Sequence, residues 1–125
     1  MLAFAVAAIA SAQPPATGTL SIQVRESSLL VPTRVSYEWT DEGLMVEGRI
    51  EKTRSRYGRI QGHVEIELLD AEGSLLSRHL AALGYFSPRR KDPDWAFFRA
   101  LIENVPSKTA GLRICHAVGD RRCPP

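Results

Sequence analysis

The stretch HVEIELLDAEG, residues 63–73, decides the fold class. Its first half alternates apolar and polar side chains, which is the period-2 pattern of a β-strand with one buried face. This alternation puts the carboxylates of Glu65 and Glu67 on the opposite face, toward solvent. The stretch closes with DAEG, a turn sequence that aspartate opens and glycine ends. Together the two halves predict a strand that leads into a hairpin.

The same alternation extends in both directions from this hairpin. Predicted strands cover residues 20–25, 35–40, 44–52, 63–68, 75–82, 95–101 and 112–118. Short strands with turn signals every 8–12 residues predict an all-β domain over residues 19–125, an antiparallel immunoglobulin-like β-sandwich of about seven strands. A small closed barrel is the alternative. The strand 95–101 is apolar on both faces, which predicts a central strand covered on two sides, and Trp39 and Trp95 are interpreted as core residues.

The N-terminus has the composition of an export signal. Eleven of the first twelve residues are apolar, and Ala10-Ser11-Ala12 fits a small-x-small cleavage site, so residues 1–12 are predicted to be a signal peptide. Residues 13–18 follow as an extended, proline-containing linker. The apolar run lacks a preceding Lys or Arg, so either the true start lies upstream or the signal is atypical; a buried helix is the alternative. The run is about half the ~20 residues that a membrane span needs, which predicts a periplasmic or secreted protein without a membrane span.

The predicted export bears on the redox state of the two cysteines, Cys115 and Cys123. In an oxidising compartment they are predicted to form a disulfide. The small loop closed in this way would contribute roughly 2–3 kcal/mol to stability. Two free thiols are the alternative, and the spacing excludes a CxxC redox pair.

The central part of the chain resembles the FxLYD-type family of small extracytoplasmic immunoglobulin-like domains. The resemblance rests on VEGRI (46–50), on GHVEIELLDAEGSLL (62–76) and on AFF (96–98). It implies an immunoglobulin-like fold and an exported, non-enzymatic accessory role, and the family offers no catalytic residues to transfer. The long arginine-rich loops and the cysteine pair depart from the family pattern.

Charge is close to balance overall, with 16 Lys+Arg against 14 Asp+Glu, which argues against a general nucleic-acid binder. In an antiparallel meander alternate connections lie at the same end of the sheet. This rule collects eight cations and three carboxylates at one end, a net +5, and leaves a net −3 at the other end. We call the predicted basic end the arginine-rich pole, and its cations are Arg54, Arg56, Arg59, Arg89, Arg90, Lys91, Arg121 and Arg122. An ordinary solvated surface is the alternative interpretation.

Candidates for chemistry are few. His63, His79 and His116 could approach one another near the basic end and bind a metal, although no short metal-ligand spacing is present. His116 shares a strand face with apolar residues, so we interpret it as a partly buried, hydrogen-bonded side chain. Glu65 and Glu67 could form an acid/base pair, but we interpret them as part of a solvated face. No nucleophile elbow or phosphate-binding glycine loop occurs.

These observations predict an exported, non-enzymatic binding or accessory module of the cell envelope that needs no cofactor. It would contact an envelope protein or an anionic envelope component, and not nucleic acid, through the arginine-rich pole. The alternative is a small envelope metal-binding protein that uses the three histidines.

Overall fold

The structure is a computed structural model, and it describes residues 18–25, 30–53, 60–84 and 95–118. Within these ranges all regular secondary structure is β-strand. The strands are β1 (Ser21–Arg25), β2 (Leu30–Thr40), β3 (Gly43–Lys52), β4 (His63–Leu69), β5 (Leu75–Gly84), β6 (Trp95–Ile102) and β7 (Gly111–Ala117). None of the described residues belongs to a helix that is long and apolar enough to cross a membrane. The predicted signal peptide (1–12) and linker residues 13–17 lie outside the described residues.

The predicted all-β class with seven strands is confirmed, but the wholly antiparallel arrangement is wrong. The strands form one mixed sheet in the order β1-β7-β4-β5-β6-β3-β2. The edge strand β1 pairs with β7 in parallel, with Ile22 opposite Leu112 and Val24 opposite Ile114. Period-2 alternation is satisfied equally by parallel and antiparallel neighbours, so the sequence pattern does not distinguish between them.

The sheet curls until its two edges nearly meet. The amide of Leu20, just before β1, donates to the Tyr37 hydroxyl on β2 at 2.8 Å. Close by, Trp39 Nε1 donates to the carbonyl oxygen of Gly18 at 3.1 Å. The result is a nearly barrel-shaped sheet rather than a clear two-sheet sandwich, so it comes closer to the closed-barrel alternative.

The inner face of this curled sheet forms the core. Alternate residues of β3, β4, β6 and β7 are buried there, as the period-2 pattern requires. The largest fully buried apolar side chains are Phe98, Leu44, Ile50, Ile66, Leu68, Ile102, Leu112, Ile114, Val46 and Val64. Phe98 lies opposite Gly48 on β3, where an added Cβ would come within 2.9 Å of the Phe98 ring. Gly48 therefore makes room for the largest ring of the core.

The predicted Asp-to-Gly turn after β4 is confirmed. Asp70 Oδ1 accepts hydrogen bonds from the amides of Glu72 and Ser74 at 2.9 and 2.8 Å. The amide of Gly73 donates to the carbonyl oxygen of Asp70 at 3.0 Å. Gly73 has a φ of +84°, a conformation that glycine adopts without steric cost. The turn chemistry thus follows directly from the residue types at its ends.

Strand β6 departs from the prediction that both of its faces are covered. Ala96, Phe98 and Ile102 are buried, whereas Phe97 is 38% exposed and Leu101 is 36% exposed on the other face. Trp95 shares that outer face, opposite Glu51 on β3, so its interpretation as a core residue is wrong. Trp39 is half-buried and packs against the core, in line with its predicted place.

Candidate functional site

The arginine-rich pole lies outside the described residues, but the strands that flank it are described. From β2 to β7 each strand runs opposite to the one before it in the chain. This follows because every pairing among these six strands is antiparallel, namely β2 with β3, β3 with β6, β6 with β5, β5 with β4 and β4 with β7. His63 pairs with Ala117 and Ala82 at this end, and Trp95 pairs with Glu51. The chain therefore enters and leaves the segments 54–59 and 85–94, and enters the segment 119–125, at one rim of the sheet.

The opposite rim consists of described turns, and it is acidic. Asp41, Glu42, Glu72 and Glu103 are exposed there, and Asp70 is half-buried in its turn. Lys108 is the one cation among the described residues of these turns. The predicted negative end is thus present, and Glu103 adds a carboxylate that the sequence-based count left out.

The three histidines do not come together as a metal site. Among the described residues, which include all three, no group of three His, Cys, Asp or Glu side chains is placed to hold a metal ion. His63 lies on the outer face at the start of β4. His79 is opposite Ile66 in the middle of β5, with Nε2 3.0 Å from the Ser77 hydroxyl. His63 is close enough to His116 to influence its pKa, whereas His79 pairs with Ile66, three residues farther along β4 than His63.

His116 is the buried, hydrogen-bonded side chain that the sequence predicts. It is 9% exposed, and its Nε2 donates to the carbonyl oxygen of Gln61. Burial lowers the pKa of His116 below its ordinary value. The hydrogen bond to Gln61 acts in the opposite direction and raises this pKa, whereas the charge of His63 lowers it further. Burial also lowers the pKa of His79. Both imidazoles are therefore harder to protonate in the folded protein than in the unfolded chain.

These lowered pKa values predict acid destabilisation. As pH falls below the ordinary histidine value of about 6.5, the unfolded chain takes up protons before the folded protein does, so the free energy of unfolding decreases. We expect His116→Gln, which does not titrate, to flatten the dependence of stability on pH between about pH 7 and pH 5. Urea titrations at a series of pH values measure this slope. The same slope in His116→Gln and wild type would contradict the assignment.

The largest departure from the sequence-based interpretation concerns Glu65 and Glu67. Both were expected on a solvated face, yet each is only 2% exposed. They do lie on the outer face of β4, where the register sets Glu67 between Arg113 on β7 and Arg78 on β5. The alternation correctly identifies their face, but not the arginines that flank them on that face.

Arginine side chains neutralise this buried pair. Arg113 Nε is 2.6 Å from Glu67 Oε1, and Arg78 Nη2 is 3.5 Å from Glu67 Oε2. Arg78 Nε also lies 2.9 Å from Glu65 Oε1. Within the described part of the chain, Glu65 Oε2 is buried without a hydrogen-bond partner. The arrangement is an ion-pair network, which we call the β4 charge network (Glu65, Glu67, Arg78 and Arg113).

The predicted disulfide involves one described cysteine and one that is not described. Cys115 lies on the same outer face, opposite Glu65 and Arg25, and it is 1% exposed. Cys123 lies outside the described residues. The Cys115–Cys123 bond therefore stays a prediction.

Arg34 on the edge strand β2 adopts a strained backbone conformation. It has a φ of +52°, in the left-handed region that costs a non-glycine residue about 1–2 kcal/mol. The pairing of β2 with β3 shifts register between Thr33 and Ser36, so Arg34 and Val35 together face Gly48. Such a β-bulge usually has glycine in the left-handed position. Strain of this kind concentrates at functional sites.

Next to this bulge, the outer face of β3 and β6 carries two more arginines. The Arg49 guanidinium carbon lies 3.8 Å from the centroid of the Trp95 ring, a cation–π contact. Arg99 pairs with Glu47 at 3.8 Å in an exposed ion pair. Arg49 and Arg99 were not identified as candidate site residues from the sequence. The alternation along β6 could have indicated this surface. Arg99 lies on the same face of the strand as Trp95 and Phe97, and an arginine at that position indicates that the face is accessible to solvent.

Comparison with models of protein families, with curated proteins and with solved structures finds no match for this chain, so its function is inferred from its own geometry.

Proposed function

We propose that this chain is an exported, non-enzymatic binding or accessory module of the cell envelope. It contacts an anionic surface or an anionic partner protein through the arginine-rich pole. Export by the N-terminal signal, and the immunoglobulin-like kinship implied by the FxLYD-type resemblance, belong to this proposal.

The direction of the described strands is the observation that carries the proposal. Three arginine-rich segments begin just after Lys52, Gly84 and Val118. The chain is described again from Ile60 after the first of these segments and from Trp95 after the second. All of these positions belong to one rim of a continuous sheet. The two short turns 41–42 and 70–74 and the longer connection 103–110 lie at the other rim and carry the acidic residues. The fold therefore supports a separation of charge along the strand direction.

Such a dipole favours anionic contacts at the basic end. Arginine presents a planar fork that matches the paired oxygens of carboxylate and phosphate groups, and it supplies 13 of the 16 cations of the chain. A charged surface also attracts a partner over about a Debye length, roughly 8 Å at physiological salt. Binding of this kind needs no catalytic group.

The proposal predicts that neutralising part of the pole weakens binding to an anionic surface. We expect Arg89→Ala/Arg90→Ala/Lys91→Ala to bind vesicles of anionic phospholipid about 100-fold more weakly than wild type, since each cation near such a surface contributes about 1 kcal/mol. Co-sedimentation at two salt concentrations measures the change, with zwitterionic vesicles as the reference. Capture from an envelope extract, run in parallel, tests a protein partner.

A charge-compensated variant distinguishes the pole from net charge. Adding Asp41→Asn, Glu42→Gln and Glu72→Gln at the acidic rim restores the overall charge without restoring the pole. The proposal requires this combined variant to stay weak. If it regains wild-type binding, or if the pole variant itself binds like wild type in both assays, the proposed function is wrong.

A further inference from the structure

A second basic surface lies on the outer face of β2, β3 and β6, and it reaches the basic rim only at Trp95. It is a groove with a volume of about 360 Å³, within the range of ligand-binding clefts. We call it the Arg34 groove, and it is defined by Arg34, Glu47, Arg49, Trp95, Phe97 and Arg99. All six residues are described, and none belongs to the arginine-rich pole.

The charge of the groove is unbalanced. Three guanidinium groups face one carboxylate, that of Glu47, and its only ion pair with described residues is a loose one with Arg99. The next carboxylate on the same face of β3, Glu51, accepts a hydrogen bond from the Thr33 hydroxyl and is not part of the lining. The groove therefore holds a net charge of about +2, which complements a ligand with two negative charges.

Two of the three arginines are held in place before any ligand arrives. Arg49 lies over the Trp95 ring, and Arg99 Nε donates to Met45 Sδ at 3.4 Å. Arg34 is directed by the bulge, which re-aims a side chain relative to the regular strand. Pre-organised donors lose less conformational freedom on binding.

Apolar side chains continue the groove along β6. Phe97 and Leu101 are 38% and 36% exposed, and Met45 lies opposite Leu101. Aromatic residues, methionine and arginine are the types enriched at the centres of protein–protein interfaces, whereas lysine is depleted there. No lysine lies among the lining residues of the groove.

We propose that the Arg34 groove binds an acidic segment of a partner protein in which carboxylates alternate with apolar side chains. The carboxylates would pair with Arg34, Arg49 and Arg99, and an apolar side chain would pack on Phe97. This site uses none of the cations of the pole, so it goes beyond the proposed function.

The test uses fluorescence anisotropy with a short labelled peptide of alternating glutamate and leucine. Its counterpart with glutamine in place of glutamate controls for charge, and unlabelled free glutamate is the competitor. We expect saturable binding of the acidic peptide only. Arg34→Gly should weaken it about tenfold or more, as loss of a charge-assisted contact does, and should leave the melting temperature equal or raise it, because glycine relieves the left-handed strain.

Two variants separate binding in the groove from binding at the pole and from an effect of net charge. Lys108→Gln removes one charge at the acidic rim and should bind like wild type, and so should the pole variant Arg89→Ala/Arg90→Ala/Lys91→Ala. If Arg34→Gly binds like wild type while the pole variant does not, the groove proposal is overturned and the proposed function stands. The groove proposal would also be overturned by any of three other results. These are equal binding of the glutamine peptide, competition by free glutamate at the peptide's own concentration, and no saturation of binding below about 1 mM.

Discussion

Replacing Glu67 by alanine should lower the free energy of unfolding by about 3–5 kcal/mol, because breaking a buried ion pair on one side leaves the opposite charge buried without compensation. Arg113 Nε is 2.6 Å from this carboxylate, and the Arg113 side chain is 16% exposed. Arg78 would lose one of its two carboxylate partners. For a domain whose total stability is about 5–15 kcal/mol, this is a large fraction, and urea denaturation measures it.

A double variant tests the physical reason. Glu67→Met with Arg113→Met removes both charges and fills similar volume, so it should regain most of the stability lost in Glu67→Ala. Glu47→Ala is the matched control, since it breaks the ion pair with Arg99 in which both side chains are more than half exposed. That loss should stay below about 1 kcal/mol. If Glu67→Ala were no more costly than Glu47→Ala, the β4 charge network would not be a buried one.

Replacing Phe98 by alanine should also lower the free energy of unfolding by about 3–5 kcal/mol, through a cavity in the centre of the core. Phe98 is 1% exposed, and it packs over Gly48. Because Gly48 has no side chain that could move into the space, the cavity cannot collapse from that side. Thermal and urea unfolding would both show the loss.

The neighbouring phenylalanine is the control for this experiment. Phe97 is 38% exposed on the outer face, so Phe97→Ala should cost about 1 kcal/mol. The difference between two adjacent phenylalanines tests the register of β6 directly. Equal losses, or a greater loss for Phe97→Ala, would mean that β6 presents the opposite face to the core.

The strands and turns could be predicted because their signals are local. Alternation along residues 63–68 reports one buried face, and Asp70 and Gly73 determine the turn that follows, whatever lies across the sheet. Turn residues and strand periodicity depend on the conformation of a few consecutive residues. The strands therefore appear close to where the sequence predicts them, although β2 begins at Leu30 rather than at residue 35.

The candidate sites were less predictable because they depend on residues far apart in the chain. Glu67 meets Arg113 across 46 positions, and Arg99 meets Met45 across 54. Nothing in either local pattern indicates that these residues share a face and a register position. The sequence did identify His116 as a buried side chain, because its apolar neighbours at alternate positions are local.

By itself, then, the sequence determined the all-β class, the turns and the accumulation of arginine in the segments 54–59, 85–94 and 119–125. Only the tertiary structure decided that β1 is parallel to β7, that Glu65 and Glu67 are buried, that Phe98 rather than Phe97 points inward, and that Arg34, Arg49 and Arg99 surround one groove. The reason is that a side chain's face follows from its parity within a strand, whereas its neighbours follow from pairings between strands, which period-2 alternation leaves open.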